Sequence, residues 1–477
     1  MPSARPSAAP HAAPAPPVRD LTTGSIPRHL LATTSFMLVM MLVQTLYFLV
    51  DLYWVGRLGT AAVAGVGVAG NLSFIVLALG QTLGVGATTV VSHAVGRRDQ
   101  TEARALFNQG LALGAVVGVL FLVGGLASMD AYARLMGADA DTAREAIAYL
   151  RWFVPAMALQ LPMNVMGAAL RASGQFRLPV VVSSATVVLN MALAPVLIFG
   201  WGTGRAFGVA GAAVSTLVAV VVGLVWLSLH FVSERSYLRF APRDWRPRAA
   251  AWRRMLAVGL PAGFEFVMIA LFQVVVYAVS RPFGASAQAG VGIGVRVLQA
   301  GFMPVVALGM AVAPVAGQNV GARLPDRVRA TFRSASLLAA GGMSLLVVLA
   351  HVAPSAMIGL FSADPAVVAV GAEYLRIVSW NFVPSGLILV ASSMFQAMGN
   401  TLPSLAIAAV RMALVAVPTL LLARVPGFRL TWVWMLAAGV IYVPLALSLV
   451  LLRREFRVRL DARAADAEPL GGSAVAV

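Results

Sequence analysis

The sequence contains no cysteine and no lysine, and each absence excludes a kind of chemistry. Without cysteine the chain cannot form disulfides, use a thiol nucleophile or bind a metal through sulfur. All 35 basic residues are arginine, so the lysine of a phosphate-binding P-loop and a Schiff-base lysine are both missing. Charge of either sign is also scarce, at 11% of the 477 residues, where soluble proteins have about 25%.

Hydrophobic residues are abundant instead. They make up 60% of the chain, and its mean hydropathy is +0.87, which indicates a multi-pass membrane protein. Apolar stretches of about 20 residues, each able to cross a bilayer core of about 30 Å, recur along the chain. They predict twelve transmembrane helices, near residues 30–55, 61–91, 105–128, 146–168, 179–200, 208–231, 255–279, 285–316, 333–354, 371–395, 403–423 and 431–452.

The ends of the chain and its arginines predict a topology. Residues 1–27 are rich in Pro, Ala and Ser and predict a disordered tail, and residues 453–477 predict a solvated one. With a cytoplasmic N-terminus, the tails and the loops on that side carry 24 arginines, against seven in the loops on the other side. This bias predicts that both termini are cytoplasmic, and it explains the basic pI without nucleic-acid binding.

The sequence repeats itself at a constant offset, and we call two positions at this offset equivalent. GTAAVAGVGV (59–68) lies on GASAQAGVGI (284–293), and LGVGATTVVSHAVGRR (83–98) lies on LGMAVAPVAGQNVGAR (308–323). The repeat predicts an N-terminal six-helix lobe (28–231) and a C-terminal one (255–452), joined by the basic linker 232–254 as a hinge tether. Since six is even, the lobes should be related by a pseudo-twofold axis along the membrane normal, an arrangement that suits alternating access.

All but two of the 18 acidic residues fall in tails, loops or helix ends. The exceptions are Asp51 and Glu265, on the first helices of the two halves. Asp51 either reaches the headgroups at a helix end or binds a coupling ion in a low-dielectric cavity, and the apolar DLYWVG favours the second interpretation. Glu265 follows Arg253-Arg254 by about ten residues, so a position near the cytoplasmic boundary is as good an explanation. The five histidines have no metal-binding spacing, and no cofactor is expected.

Several segments resemble the multidrug and toxic compound extrusion (MATE) family of secondary antiporters, prokaryotic subgroup. The resemblance is densest in VQTLYFLVDLYWVGRLGTAAVAGVGV and LGQTLGVGATTVVSHAVGRRD, and extends to LNMALAPVLI, VGLPAGFE and MFQAMGNTLPS. It implies an all-α membrane protein of two six-helix lobes around a central cavity, located in a bacterial-type inner membrane. It further implies export of amphipathic, often cationic, compounds in exchange for H⁺ or Na⁺, by a monomer without a cofactor.

Matching the family pattern position by position implies site residues. The acid of the first helix falls on Asp51, and its polar partners fall on Tyr149, Asn190 and Thr216. Gln44 and Glu265 are secondary candidates for coupling or for substrate contact. Whether the ion is H⁺ or Na⁺ stays open, because both can use a carboxylate with neutral oxygens nearby.

Two positions depart from the family pattern. Ala194 precedes Pro195 where the family often has an aspartate, and Phe36 stands near the place of a proline in the first helix. The polar network is therefore expected to be smaller, with Asp51 as the lone carboxylate of its lobe. Bending of the first helix at that proline is put in doubt.

Two other functions compete with the antiporter hypothesis. A lipid-linked precursor flippase of the same broader superfamily would need cavity arginines, for which the intramembrane candidates are Arg296, Arg376 and Arg411. It would often have additional helices, for which this chain has no apolar stretch. An intramembrane enzyme would need paired acids, a metal cluster or a serine elbow within the helices, and the sequence offers none of these.

Overall fold

The computed structural model describes residues 20–202, 204–233, 236–280 and 283–461, and its long elements are all helices. The first half contains α1 (Ile26–Gly56), α2 (Thr60–Gly96), α3 (Gln100–Met136), α4 (Ala140–Ala172), α5 (Arg177–Phe199) and α6 (Val209–Val232). The second half contains α7 (Ala249–Ser280), α8 (Ala285–Gly321), α9 (Pro325–Val352), α10 (Pro354–Gly359), α11 (Pro365–Val378), α12 (Phe382–Met398), α13 (Leu402–Leu422), α14 (Leu430–Val440) and α15 (Tyr442–Phe456).

The predicted fold class, an all-α protein with membrane-spanning helices, is confirmed. Among the described residues, eleven helical segments are long and apolar enough to cross a membrane, and α7, with 32 residues, is a twelfth long helix. The helices are longer than predicted: α2, α3 and α8 have 37 residues each, or about 55 Å, so they extend beyond a bilayer core of about 30 Å. The loops are correspondingly short. Asp99, predicted to lie in a loop, caps α3 by accepting a hydrogen bond from the Glu102 N–H at 2.9 Å.

Two predicted single helices are broken into pairs. Residues 379–381 form a 3-10 turn between α11 and α12, and Ile441 separates α14 from α15. Pro384 and Pro444 follow these breaks by about one turn. Because proline has no N–H and its ring crowds the carbonyl four residues earlier, it disfavours continuous α-helix at these points.

The apolar core forms two clusters, one in each lobe. The first runs from Val55 to Met255 and the second includes most buried residues after Val291, which defines the N lobe and the C lobe used below. Helix α1 belongs to both lobes: Leu30 and Met37 are buried in the core of the C lobe, whereas Val55 is buried in that of the N lobe. The first helix therefore crosses from one lobe to the other.

Helix α7 makes the reciprocal crossing. Its first half lies against α2 of the N lobe, so closely that a Cβ atom at Gly259 would come within 2.0 Å of the Thr82 carbonyl oxygen. Helix α7 also packs against α13 of the C lobe, where Glu265 lies within electrostatic range of Arg411. The two sequence halves, 28–231 and 255–452, thus exchange the first parts of their first helices: each of these parts packs against the other lobe.

Two hydrogen bonds between the lobes are formed at equivalent positions of the sequence repeat. The His93 Nε2 atom donates to the Ala397 carbonyl oxygen at 2.6 Å, and the Gln318 Nε2 atom donates to the Ala172 carbonyl oxygen at 2.8 Å. His93 and Gln318 are equivalent positions of the repeat, and so are Ala172 and Ala397. The two bonds are therefore related by the pseudo-twofold axis that the repeat predicts.

Two glycines bring the lobes into contact at the same end of the bundle. A Cβ atom at Gly96 would come within 2.1 Å of the Gln318 carbonyl oxygen, and one at Gly321 within 2.2 Å of the His93 carbonyl oxygen. Gly96 and Gly321 are also equivalent positions, and each is followed by an arginine within the next two positions. We call this end of the molecule, where α2 and α8 terminate, the basic end.

Residues 20–24 form an N-terminal strap across the basic end. Leu21 is fully buried; its N–H donates to Gln318 Oε1 at 3.1 Å, and its carbonyl accepts from Asn319 Nδ2 at 3.2 Å. The Asp20 carboxylate lies 3.5 Å from Arg98 of the N lobe. The strap thus contacts both lobes. These residues fall within the predicted disordered tail, and differ from that prediction because paired backbone groups and a buried leucine hold them; residues 1–19 lie outside the described range.

The linker 232–254 also differs from a loose tether in its described residues. Asn108, buried at the basic end of α3, donates to the Arg239 carbonyl oxygen at 2.9 Å and accepts from Trp245 Nε1 at 2.9 Å. Gln109 beside it accepts from the Arg248 N–H at 2.8 Å. These bonds hold the described part of the linker against α3 of the N lobe.

The predicted C-terminal tail begins later than residue 453. Helix α15 continues to Phe456, and the next turn places Arg459 where it donates to the Met398 carbonyl oxygen at 2.9 Å. Leu460 is buried against the C lobe. Residues 462–477 lie outside the described range.

Candidate functional site

Asp51 lies on the second half of α1, where this helix enters the N lobe. One turn later, Trp54 packs edge-on against Phe199 and Trp201, with ring centroids 6.0 and 5.7 Å apart, and Val55 is fully buried. These contacts orient the helix. The Asp51 side chain is half-buried, and no donor in the described part of the chain forms a hydrogen bond with its enclosed Oδ1 atom. The carboxyl group therefore points into the lobe and not toward lipid.

A chain of hydroxyl and amide groups lies beside this carboxyl group. The Tyr47 hydroxyl is 3.2 Å from Thr216 Oγ1, and Asn190 Nδ2 lies 3.1 Å from the same oxygen and 3.4 Å from Ser215 Oγ. Both hydroxyls on α6 are close to the Ala212 carbonyl oxygen, at 3.1 Å from Thr216 and 2.7 Å from Ser215. Helices α1, α5 and α6 are thus connected by side-chain hydrogen bonds.

The direction of these bonds follows from counting protons. Since the Thr216 hydroxyl donates its one proton to a carbonyl, its oxygen can only accept from Tyr47 and from Asn190, which uses both lone pairs. The Tyr47 proton is then committed to Thr216. Tyr47 therefore presents an oxygen and not a donor to its surroundings, which include the Asp51 carboxyl group within electrostatic range.

Tyr149 approaches the same carboxyl group from α4. Its side chain is only 4% exposed, and its ring packs against Phe153 with centroids 5.0 Å apart. Its hydroxyl lies within electrostatic range of Asp51 and of Tyr47. Two tyrosines from different helices thus lie within electrostatic range of the acid.

The structure brings all three predicted partners of Asp51 into one group and adds two residues that the sequence analysis missed. We call this group the Asp51 cluster, and it comprises Tyr47, Asp51, Tyr149, Asn190, Ser215 and Thr216. A sequence signal for Tyr47 existed, because residues four apart share a face of a helix. Ser215 could not be told from neighbouring small residues until α5 and α6 were placed.

Ala194, which departs from the family pattern, places an apolar side chain close to Asn190 in sequence. Ala194 is fully buried in the core of the N lobe, one helical turn after Asn190. A methyl group thus stands at the position where the family resemblance implied an aspartate. Within the described residues, the Asp51 cluster contains a single acid.

Glu265 belongs to a different site. It lies on α7, where Ser392 Oγ of α12 donates to its Oε2 atom at 3.1 Å. Arg411 of α13 lies within electrostatic range of the same carboxylate. Glu265 therefore already has a hydroxyl and a cation beside it, in contrast to Asp51.

Gln44 has a different environment from the Asp51 cluster. It lies on the same face of α1 as Asp51, seven residues and about 10 Å earlier, but its side chain is exposed. Helix α1 is leaving the C lobe at this level and has not yet entered the N lobe. Gln44 therefore lies outside the group of side chains around Asp51.

The arrangement suits reversible binding of a small cation. An enclosed carboxylate without a donor or a paired cation is costly, and binding H⁺ or a monovalent metal ion removes that cost. Carboxylate and hydroxyl oxygens are suitable ligands for hard cations. The cluster lies at one lobe of a two-lobed molecule whose lobes meet at the basic end.

Comparison with known proteins identifies the family. The MatE family model matches residues 37–196 and 261–422, one match in each half of the repeat. The chain belongs to the MatE family. Solved structures of MATE transporters show the same fold: one in the bent conformation superimposes with a TM-score of 0.87 at 24% identity, covering 93% of this chain and 98% of the other. A transporter from Pyrococcus furiosus gives a TM-score of 0.84 at 24% identity, covering 92% and 97%.

The MatE relatives of this chain include transporters with different described cargoes. A probable multidrug resistance protein, YoeA, of Bacillus subtilis is 26% identical over 75% of this chain and 78% of its own length. An FAD transporter of Shewanella oneidensis is 25% identical over 78% of this chain and 82% of its own length. The multidrug export protein MepA of Staphylococcus aureus is 23% identical over 76% and 80%. This MatE protein is accordingly a multi-pass membrane transporter.

Proposed function

We propose that this MatE protein exports amphipathic organic compounds in exchange for an inward-moving H⁺ or Na⁺, with Asp51 as the coupling residue. The observation that carries the proposal is the enclosed Asp51 carboxyl group, which has no hydrogen-bond donor on Oδ1 among the described residues. A single carboxylate is sufficient energetically. Each charge that crosses the membrane releases about 2.3 kcal/mol per 100 mV, which corresponds to a bias of about fiftyfold.

The contacts between lobes support alternating access. At the basic end, Gly96 and Gly321 hold the lobes together, which leaves the opposite end to open. With the basic end on the cytoplasmic side, as the arginine bias predicts, this is an outward-facing arrangement in a bacterial-type inner membrane. Inward opening must separate the paired bonds of His93 and Gln318.

The proposed cycle uses Asp51 as a switch between two cargoes. In the outward-facing state Asp51 binds the external cation, which neutralises the carboxylate and disfavours retention of the organic compound. Isomerisation then exposes the cluster to the cytoplasm, where the cation leaves and the organic compound binds. Because Tyr47 and Tyr149 come from different helices, a change in charge at Asp51 acts on α1 and α4 together.

The test is dye transport by purified protein in liposomes, with a pH gradient and a Na⁺ gradient imposed separately. We expect one of the two gradients to drive transport by the unaltered protein, which identifies the ion. Asp51→Asn should abolish driven transport while leaving insertion intact, because a neutral amide cannot alternate between charge states.

Asp130→Asn is the matched control, since Asp130 is an exposed acid at the end of α3. It should transport at the rate of the unaltered protein. Gradient-driven transport that persists at full rate in Asp51→Asn would remove the coupling role from this residue.

The flippase alternative is less well supported by the arginines. Arg411 lies within electrostatic range of Glu265, so its charge is directed to that carboxylate, and Arg376 lies at the end of α11. Arg296, in contrast, is exposed and lies well inside α8. Transport of a lipid-linked precursor in liposomes would distinguish the flippase from the antiporter.

A further inference from the structure

The first half of α8 has one face that packs against its own lobe. Val291 and Val297 are buried there, and a Cβ atom at Gly294 would come within 2.4 Å of the Tyr374 ring. One at Gly301 would come within 2.4 Å of the Leu346 side chain. These positions recur every three or four residues, as expected for the core-facing stripe of a helix.

The opposite face of α8 is directed at the N lobe. At the basic end a Cβ atom at Gly317 would come within 2.2 Å of Ser92 Oγ, and Gly321 contacts His93. Arg296 precedes Gly321 by seven helical turns, or about 37 Å along the axis. Arg296 also lies nearly opposite Gly294 and Gly301 around the helix axis, so it is on the face of α8 that turns away from its own lobe.

Arg296 is exposed, and so is Gln299 one turn later. Both lie within the apolar stretch of α8, where an arginine exposed to lipid would be costly. A position on the face between the lobes avoids that cost. None of the ion pairs found among the described residues involves Arg296.

The repeat identifies the residues of the opposite wall. Asn71 of α2 is the position equivalent to Arg296, and Phe74 is equivalent to Gln299. Asn71 is exposed and Phe74 is 62% exposed. We call the space between these two walls the interlobe cleft. One wall has a guanidinium and an amide, whereas the other has an amide and an aromatic ring.

We propose that the interlobe cleft binds compounds with an acidic group, a carboxylate or a phosphate, through Arg296 assisted by Gln299 and Asn71. Phe74 supplies an apolar surface for the rest of the compound. The proposal rests on the proposed export function and defines its substrate class as amphipathic anions and zwitterions. Arg296 offers paired N–H donors that match two oxygens of an oxyanion, whereas cationic compounds would be repelled at this wall.

The test compares two dyes that differ in one group: rhodamine B, which has a free carboxylate, and its ethyl ester, which has none. Binding to the purified full-length protein is measured by fluorescence anisotropy, and transport is measured in liposomes. We expect the unaltered protein to prefer rhodamine B. Arg296→Gln should weaken rhodamine B binding tenfold or more and change ester binding less than twofold, because only the acid loses a charge-assisted hydrogen bond.

Two further variants separate charge from structure. Arg296→Lys keeps the positive charge and should retain part of the preference for the acid. Arg134→Gln, at an exposed arginine in the last turn of α3, should change neither dye. An equal loss of both dyes in Arg296→Gln would overturn the proposal, and so would an unaltered protein that binds the ester more tightly than the acid.

Binding and transport together keep this proposal distinct from the proposed function. Acid-selective binding without gradient-driven transport supports the cleft assignment and contradicts the export function. Gradient-driven transport that is selective for the ester supports the export function and contradicts the cleft assignment. Adding phosphatidylglycerol to phosphatidylcholine liposomes identifies the source of the oxyanion: competition with rhodamine B that disappears in Arg296→Gln indicates a lipid phosphate, and its absence indicates a soluble acid.

Discussion

At the residue scale, Asp51 differs from Glu265 in what surrounds it. Glu265 has the hydroxyl of Ser392 and the charge of Arg411 beside it, whereas Asp51 has an enclosed oxygen without a donor among the described residues. A buried carboxylate with fewer compensating partners gains more from binding a cation. The two intramembrane acids therefore differ in their hydrogen-bond partners, which their location on corresponding helices of the sequence did not reveal.

The Asp51 cluster could be predicted in part. Asp51 was evident because a carboxylate is conspicuous in an apolar run, and Tyr149, Asn190 and Thr216 followed from the family resemblance. That the Tyr47 proton goes to Thr216 depends on the approach of α1 to α6 and on the carbonyl that Thr216 itself occupies. Such bond directions are set by tertiary packing and have no local sequence signal.

Tyr47→Phe distinguishes residues that stabilise the Asp51 cluster from the residue that couples ion movement to transport. Loss of one hydrogen bond to Thr216 should lower the free energy of unfolding by about 1 kcal/mol while leaving gradient-driven transport within a fewfold of normal. Asp51→Asn should do the opposite, with an unchanged or raised Tm and no driven transport. Thermal unfolding in detergent and dye transport by the same preparations measure both effects. Complete loss of driven transport in Tyr47→Phe would show that its hydroxyl takes part in coupling.

At the element scale, α1 joins the acid to the basic end. Leu30 and Met37 fix its first half to the C lobe, and Val55 fixes its second half to the N lobe. Any rocking of the lobes must therefore bend or shift this helix near Gln44 and Tyr47, next to the acid. The twelve apolar segments could be predicted from hydropathy, but the breaks in two of them could not. The division of α1 between two lobes could not, because its apolar residues surround the whole helix and do not indicate which lobe each one contacts.

The close approach of α2 and α8 at the basic end is testable with one methyl group. Gly96→Ala places a Cβ atom within 2.1 Å of the Gln318 carbonyl oxygen, so the lobes must separate there. We expect transport to fall at least tenfold. Because the chain has no cysteine, Ser92→Cys at this contact reports opening through reaction with an impermeant maleimide. Labelling should rise in Gly96→Ala.

Gly67→Ala is the control for this change. It lies on the same helix, and a Cβ atom there meets nothing within 4 Å in the described structure. Transport and labelling should match the parent protein. Unchanged labelling in Gly96→Ala would mean that the lobes are not in contact at this point in the membrane.

Hydrogen bonds and an ion pair hold the N-terminal strap in place. Arg327 of α9 donates two bonds of 3.1 Å to the Gly24 carbonyl oxygen. Burial raises the pKa of the Asp20 carboxyl, but hydrogen bonds from Thr22 and the charges of Arg98 and Arg327 outweigh it and lower that pKa overall. A lowered pKa keeps Asp20 ionised at neutral pH, so its attraction to Arg98 is lost only on acidification below the usual range for aspartate.

Arg327→Gln should loosen the strap and favour opening of the basic end. We expect faster maleimide labelling of Ser92→Cys in this background, by a fewfold, because charge-assisted bonds to the strap are lost. Arg333→Gln, at an exposed arginine on the same helix, should label at the parental rate. Equal labelling in both variants would indicate that the strap does not restrain the lobes.

At the scale of the whole molecule, the internal repeat is realised as contacts and not only as similar elements. The bonds of His93 and Gln318 to equivalent carbonyls are related by the pseudo-twofold axis, and so are the contacts of Gly96 and Gly321. The two residues to which we assign functions, Asp51 and Arg296, are not repeated at their equivalent positions. Asp51 has no acid at the equivalent position of the second half, where Val276 stands, and Arg296 is equivalent to Asn71.

The most direct test of coupling at Asp51 is to run the exchange in reverse. Purified protein is placed in liposomes without any ion gradient, a dye gradient is imposed, and the movement of H⁺ and of Na⁺ is followed with indicators on the opposite side. We predict that the dye gradient drives one of these ions in the opposite direction for the unaltered protein and for Asp130→Asn, and that Asp51→Asn moves neither ion. Ion movement of normal size in Asp51→Asn would contradict the assignment of coupling to this carboxylate.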